Sequence, residues 1–183
     1  HLSRDGADYI RPMVHSYWIN LILVTYHSET GNTKRVAEAI YYTIQEDKEI
    51  RPWDEVDSLE GFEFSFLGFP VHGHGTDERQ RAFLGRLTPR RRVAMFLTHA
   101  LPPNTPMARK QIEACREVVK GAEVMGLFHC QGEMAMEMVD SFAREDDPEM
   151  RRFAEMRETT VGHPDDEEIE AAREFTREIL SNL

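Results

Sequence analysis

Cysteine is scarce in this chain of 183 residues, which has only Cys115 and Cys130. Two thiols cannot build a disulfide framework or a four-cysteine zinc or iron–sulfur site, and they fit a reducing compartment. Long apolar runs are also missing. The longest, around Trp18 to Tyr26, is interrupted by Asn20 and falls far short of the ~20 residues that span a bilayer. The polar segment SETGNT follows it, with no small-residue cleavage site, so it reads as a buried strand and a cytoplasmic location is expected. Positive charge is in deficit: 22 Lys and Arg face 33 Asp and Glu, a formal net charge of −11. Such a balance argues against sequence-independent nucleic-acid binding, which needs cations facing phosphates, and against docking on an anionic membrane. It favours a basic protein partner. Two nucleotide signatures are absent as well. Gly31 is not followed by lysine, so there is no Walker loop, and there is no GxGxxG.

What is present suffices for one domain. Apolar residues make up 40% and aromatics 9%, enough for a core at a length of roughly 100–200 residues per domain. The opening HLSRDGADYIRP reads as a tag or upstream read-through with Met13 as the expected start, so residues 1–18 are set outside a single domain over 19–183. Within that domain strands and helices alternate. Ile19–Tyr26 is near-continuously apolar, as a strand buried on both faces should be. A helix is expected from Thr33 to about Glu46, with Val36, Ala37, Ile40 and Ile44 on one face. Residues 48–58 hold a short polar strand. Phe62–Phe69, Val93–Thr98 and Val124–Cys130 are further strands, and Thr76–Leu87 and Pro106–Lys120 read as helices, the second stopped by Gly121. Asp165 and Glu168 form a capping box ahead of a closing helix over Asp166–Leu180. This alternation implies parallel βαβ units in an open, doubly wound α/β sheet with helices on both faces. Ligands of such sheets sit outside the carboxyl ends of the strands, so the loops after Tyr26, Phe69, Thr98 and Cys130 matter most.

The first of these loops is His27-Ser28-Glu29-Thr30-Gly31-Asn32-Thr33. Backbone N–H groups at a helix start, with the positive end of its dipole, suit a dianionic phosphate, and hydroxyls add donors without charge. An ordinary helix cap is the bland alternative.

VTYHSETGNT followed by an amphipathic helix resembles the FMN phosphate loop of flavodoxins. The likeness covers roughly residues 20–183, with weaker support from FLGFPVHGHGT, FHCQGE and the closing GHPDDEEIEAAREF. The resemblance implies a five-stranded parallel sheet in the order 2-1-3-4-5 and FMN held without a covalent link. It assigns the phosphate to Ser28, Thr30, Asn32 and Thr33, helped by backbone groups of Glu29 and Gly31. It sets Pro70, Val71, His72, Gly73, His74 and Gly75 against the isoalloxazine ring, with Gly73 or Gly75 free to turn its peptide. Thr98, His99, Ala100 and Leu101 would contact the pyrimidine side. Many flavodoxins sandwich the ring between a tryptophan and a tyrosine; this sequence carries His72 and His74 in one loop and Leu101 with prolines in the other.

Of eight histidines, His27, His72, His74, His99 and His129 fall at or near strand carboxyl ends. They are candidates for proton transfer near neutral pH. A zinc or iron site from His72 and His74 with His99 or Cys130 lacks an evident four-ligand set, so no metal is expected. Cys130 reads as a buried, inert thiol. After Cys130 a polar insertion runs over about 133–164, including a short surface helix within AREDDPEMRRFAEMRE. The alternating Met134, Met136 and Met138 suggest either a flap over the flavin or a contact in a homodimer. The leading expectation is an FMN protein that transfers electrons between redox partners. The alternative is an FMN-dependent reductase of a small molecule such as a quinone, using NAD(P)H. A cofactor-free interaction module comes third.

Overall fold

A computed structural model describes residues 20–73 and 75–183. The expected extension 1–18, the expected strand start Ile19 and the candidate His74 lie outside the described residues. Five strands form one sheet: β1 (Ile22–Tyr26), β2 (Lys48–Pro52), β3 (Phe64–Pro70), β4 (Arg92–His99) and β5 (Glu123–Gln131). Their order is β2-β1-β3-β4-β5 and every pairing is parallel. The fold expected from the alternation is therefore the fold observed. The order reverses between β1 and β3, and that reversal opens a crevice at their carboxyl ends.

Register sends alternate side chains to opposite faces, and each face buries its own core. On one face Val24, Phe64, Phe66, Ala94 and Phe96 meet Val36 and Ile40 of α1 (Asn32–Thr43), Ile44 just past its end, and Ile169, Ala172 and Ile179 of α6 (Asp166–Ser181). On the other, Leu23, Leu67, Phe69, Met95 and Leu97 meet Leu84 and Leu87 of α2 (Glu78–Leu87) and Ile112 and Cys115 of α3 (Pro106–Glu117). Gly68 lets the Phe96 ring lie flat on the sheet between β3 and β4; a Cβ there would overlap that ring.

Two local expectations are corrected. Gly121 does not stop α3. The helix ends at Glu117, and the chain tightens into successive turns in which Val119 donates to Arg116 and Ala122 to Val119, so no left-handed glycine is needed. The insertion holds two helices, not one: α4 (Met136–Arg144) and α5 (Pro148–Glu155). Glu145 is extended, then Asp147 caps the next helix and Pro148 occupies its first turn, so the chain must restart. A 3-10 turn, Met156–Thr160, returns it to the sheet. Phe142 and Phe153 hold the two helices together edge to face, with ring centroids 6.3 Å apart. No residue of either helix is fully buried. Among the described residues no helix is long and apolar enough to cross a membrane.

Candidate functional site

The turn between β1 and α1 sets the geometry of the crevice. Gly31 sits at φ +93°, a left-handed conformation that a side chain would strain, and it starts α1 with no side-chain cap. Ser28 organises the turn: its Oγ accepts the amides of Gly31 at 3.1 Å and Lys34 at 3.2 Å. Its own hydroxyl hydrogen remains available. The amides of Asn32 and Thr33 have no protein acceptor among the described residues. By contrast, α2, α3, α5 and α6 are each capped, by Asp77, Thr105, Asp147 and Asp165.

Two side chains assigned to the phosphate also tie the turn to the sheet. The Thr33 and Thr98 hydroxyls meet at 2.8 Å, both buried, which pins α1 to the end of β4. Asn32 Nδ2 donates to the Glu133 carbonyl at 2.8 Å, which pins the turn to the chain leaving β5. Gly132 is needed there for space, since a Cβ would press on the Asn32 amide at 2.8 Å.

The loop after β3 folds back on itself. His72 and Gly75 exchange backbone hydrogen bonds of 2.8 and 2.7 Å around Gly73, which has φ +48°. Gln111 Nε2 of α3 donates to the Gly73 carbonyl, and Gln80 Nε2 of α2 donates to the Pro70 carbonyl. His72 Nε2 is a buried atom without a hydrogen-bond partner among the described residues. It lies 3.8 Å from Glu29 Oε1 and 3.7 Å from Asp77 Oδ2. His27 Nε2 approaches the same Glu29 oxygen at 3.3 Å.

After β4 the chain is held by a histidine pair. His99 Nδ1 meets the Leu101 carbonyl at 2.8 Å, and a carbonyl only accepts, so Nδ1 carries the hydrogen. His99 Nε2 is then the acceptor for His129 Nδ1–H at 3.0 Å. Burial, and then the facing His129, lower the His99 pKa to about 4. Burial also lowers that of His129. Both His99 nitrogens are therefore committed, which leaves none for a metal. Burial raises the Cys115 thiol to about 12 and pushes Cys130 up as well, which disfavours the thiolate form of both.

Of the expected site residues, Glu29, Thr30, Asn32, Thr33, Pro70, Val71, His72, Thr98, His99 and Ala100 line one cleft. Ser28, Gly31, Gly73 and Gly75 belong to the loops that carry these residues but are not part of the lining. Leu101 turns away into the core between the sheet and the α2–α3 layer. The described histidines of this edge fall into two hydrogen-bonded or ion-paired groups, although His72 and His99 line the same cleft. His27 and His72 flank Glu29, and His99 pairs with His129, with no hydrogen bond or ion pair joining the two groups among the described residues. Gly132, Glu133, Met134, Ala135 and Met138 complete the lining; Met134 and Met138 are two of the three methionines expected as a flap or a dimer contact, whereas Gly132, Glu133 and Ala135 were not among the expected site residues. The signal that could have found them is positional: the chain leaving β5 emerges on the same edge.

The model of the flavodoxin domain family matches residues 23–177. The flavodoxin-like domain-containing protein BilS of Clostridioides difficile is 30% identical over 168 residues, spanning 86% of this chain and 95% of that protein. Oxidised flavodoxin 2 from Bacillus cereus superposes with a TM-score of 0.56 at 17% identity, over 88% of this chain and 99% of its own, and so shares the fold.

Proposed function

The chain belongs to the flavodoxin-domain family, and from that membership we propose that it binds FMN non-covalently and transfers electrons between redox partners. The start of α1 carries the proposal. Its donors suit a phosphate dianion: unpaired amides at Asn32 and Thr33, a free hydroxyl hydrogen on Ser28, and the exposed Thr30 hydroxyl at the positive end of a helix. Beside them Pro70, Val71, Ala100 and Met134 offer apolar walls for a planar ring. The unpartnered His72 Nε2 is a polar atom left over at that wall. Bound FMN supplies the electron chemistry.

The chain's own residues orient and shield. The Thr33–Thr98 and Asn32–Glu133 bonds hold the phosphate donors in register with β4 and β5. Gln111 holds the Gly73 carbonyl toward α3, which fixes the loop facing the ring. His72 Nε2 is held at that wall between the Glu29 and Asp77 carboxylates. A second reading is an FMN-dependent reductase of a small molecule such as a quinone. It is favoured by His72 and the small Ala100 on the walls, where a pair of large aromatic rings would close the cleft. The two free, buried cysteines fit a reducing compartment, which we take to be the cytoplasm.

A visible spectrum of the purified protein, before and after FMN is added, tests the central claim. Flavin bands that shift on mixing are expected; a mixture whose spectrum is the sum of its parts would refute FMN binding. NAD(P)H oxidation by the protein alone favours the reductase, and reduction only through a separate reductase favours the carrier.

A further inference from the structure

A second cavity adjoins the cleft at the phosphate turn, sharing Thr30, Asn32, Glu133, Met134 and Ala135 with it and lined also by Arg157 of the insertion. We propose that the insertion after β5 supplies a cation to the phosphate end of the flavin, and that Arg157 is that cation. The assignment rests on FMN being the ligand.

The turn itself contains no lysine or arginine, and it contributes the acidic Glu29. The two cations that follow it are committed elsewhere. Lys34 pairs with Glu38 at 3.9 Å, and Arg35 donates to the Pro164 carbonyl at 2.6 Å and to Asp166 at 3.5 Å. Among the described residues, Arg157 is the guanidinium or ammonium group that lines either cavity beside the turn.

Its position is built. The buried Thr160 donates its hydroxyl to the Arg157 carbonyl at 2.7 Å and accepts the Met134 amide at 3.0 Å, which locks the 3-10 turn to the chain leaving β5. Glu133 then steers the side chain. Its Oε2 accepts the Gly162 amide at 3.0 Å, and its Oε1 accepts Arg157 Nη2 at 3.0 Å. A guanidinium has five N–H donors, and this ion pair engages one edge. Arg157 Nε is buried and has no hydrogen-bond partner among the described residues. A buried, unpaired donor on a charged group is costly unless a ligand completes it. A phosphate held at the Thr30–Asn32 turn is an acceptor of the right charge, within the same cavity. Closing the site in this way makes the insertion part of the cofactor's binding, and Glu133 the residue that positions the cation.

Full-length apoprotein is titrated with FMN and with riboflavin, which lacks the phosphate, by quenching of flavin fluorescence at low and high salt. Arg157→Gln is expected to weaken FMN by about tenfold or more while leaving riboflavin within about twofold, and to flatten the salt dependence of FMN binding. Glu133→Gln removes a negative charge beside the phosphate and keeps an amide oxygen to hold Arg157, so FMN affinity should rise while riboflavin affinity stays put. Equal losses for both flavins, or Glu133→Gln copying Arg157→Gln, would show that the pair merely fastens the insertion and would overturn the assignment. If Arg157→Gln does not fold, Glu133→Gln and the salt dependence of the wild type still decide it. A wild type that binds both flavins equally keeps the flavin and removes the cation; one that binds neither removes both.

Discussion

His99 is held neutral by its surroundings, and that has a consequence for stability. Its pKa is about 4 when folded and 6.5 in the open chain, so between these values the unfolded state binds more protons. The stabilisation is therefore complete above pH 6.5 and is lost as the pH falls towards 4. It amounts to on the order of 3 kcal/mol. Urea midpoints measured from pH 7 to 4.5 should fall in the wild type, and they should fall less in His99→Asn. An identical pH dependence in the two proteins would remove His99 from the account. The sequence placed His99 at the right edge of the sheet but could not name its partner. His129 lies on the neighbouring strand, and only the β4–β5 pairing, with Leu97 opposite His129, brings its Nδ1 to 3.0 Å from His99 Nε2. The same holds for Leu101: the resemblance set it against the pyrimidine side of the flavin, whereas its apolar side chain is buried in the core.

Among the elements, α6 shows how much of a helix is written locally. Its capping box was legible, and the structure closes it, with the Glu168 amide on Asp165 Oδ1 at 2.9 Å and the Asp165 amide on Glu168 Oε2 at 2.8 Å. Its reach across the fold was not legible. Glu168 Oε1 also accepts the buried Gln131 amide at the end of β5 at 3.0 Å, and Oε2 takes His163 Nδ1 at 2.6 Å. The two carboxylates should therefore differ in worth. Asp165→Ala should cost about 1 kcal/mol, as a lost cap does. Glu168→Ala should cost about 2–3 kcal/mol, because it also strands a buried donor on β5. Urea denaturation of the two variants checks this; equal losses would mean that the tie to Gln131 contributes nothing. The insertion is the converse case. Its polarity marked it as surface, but its division into α4 and α5 depends on the Asp147–Pro148 restart, and its seat over the cleft on the Thr160–Met134 bond.

The whole molecule carries a formal charge of −11, a property of no single site. A field of that sign attracts cationic partners over distances that salt shortens. Reduction of the FMN-loaded protein by a cationic electron donor should slow as ionic strength rises, while reduction by an uncharged donor of similar potential should not. Equal salt dependence for the two would show that net charge does not guide encounter. At this scale the architecture was readable, since strand and helix periodicities repeat along the chain, and the crevice follows from where the strand order reverses.

By itself the sequence determined what contiguous residues can determine: the alternation of elements, the capped start of α6, and the hydroxyl-rich turn at 27–33 with a glycine where the backbone goes left-handed. Each depends on neighbours a few residues apart, whose relative positions the local backbone fixes. Tertiary structure alone decided that Asn32 would be tied to Glu133, that Glu29 would lie between His27 and His72, and that Arg157 would share a cavity with Thr30. These partners meet only once β1, β3, β4 and β5 bring their carboxyl ends to one edge and the insertion folds back over it. Distance along the chain carries no trace of that meeting.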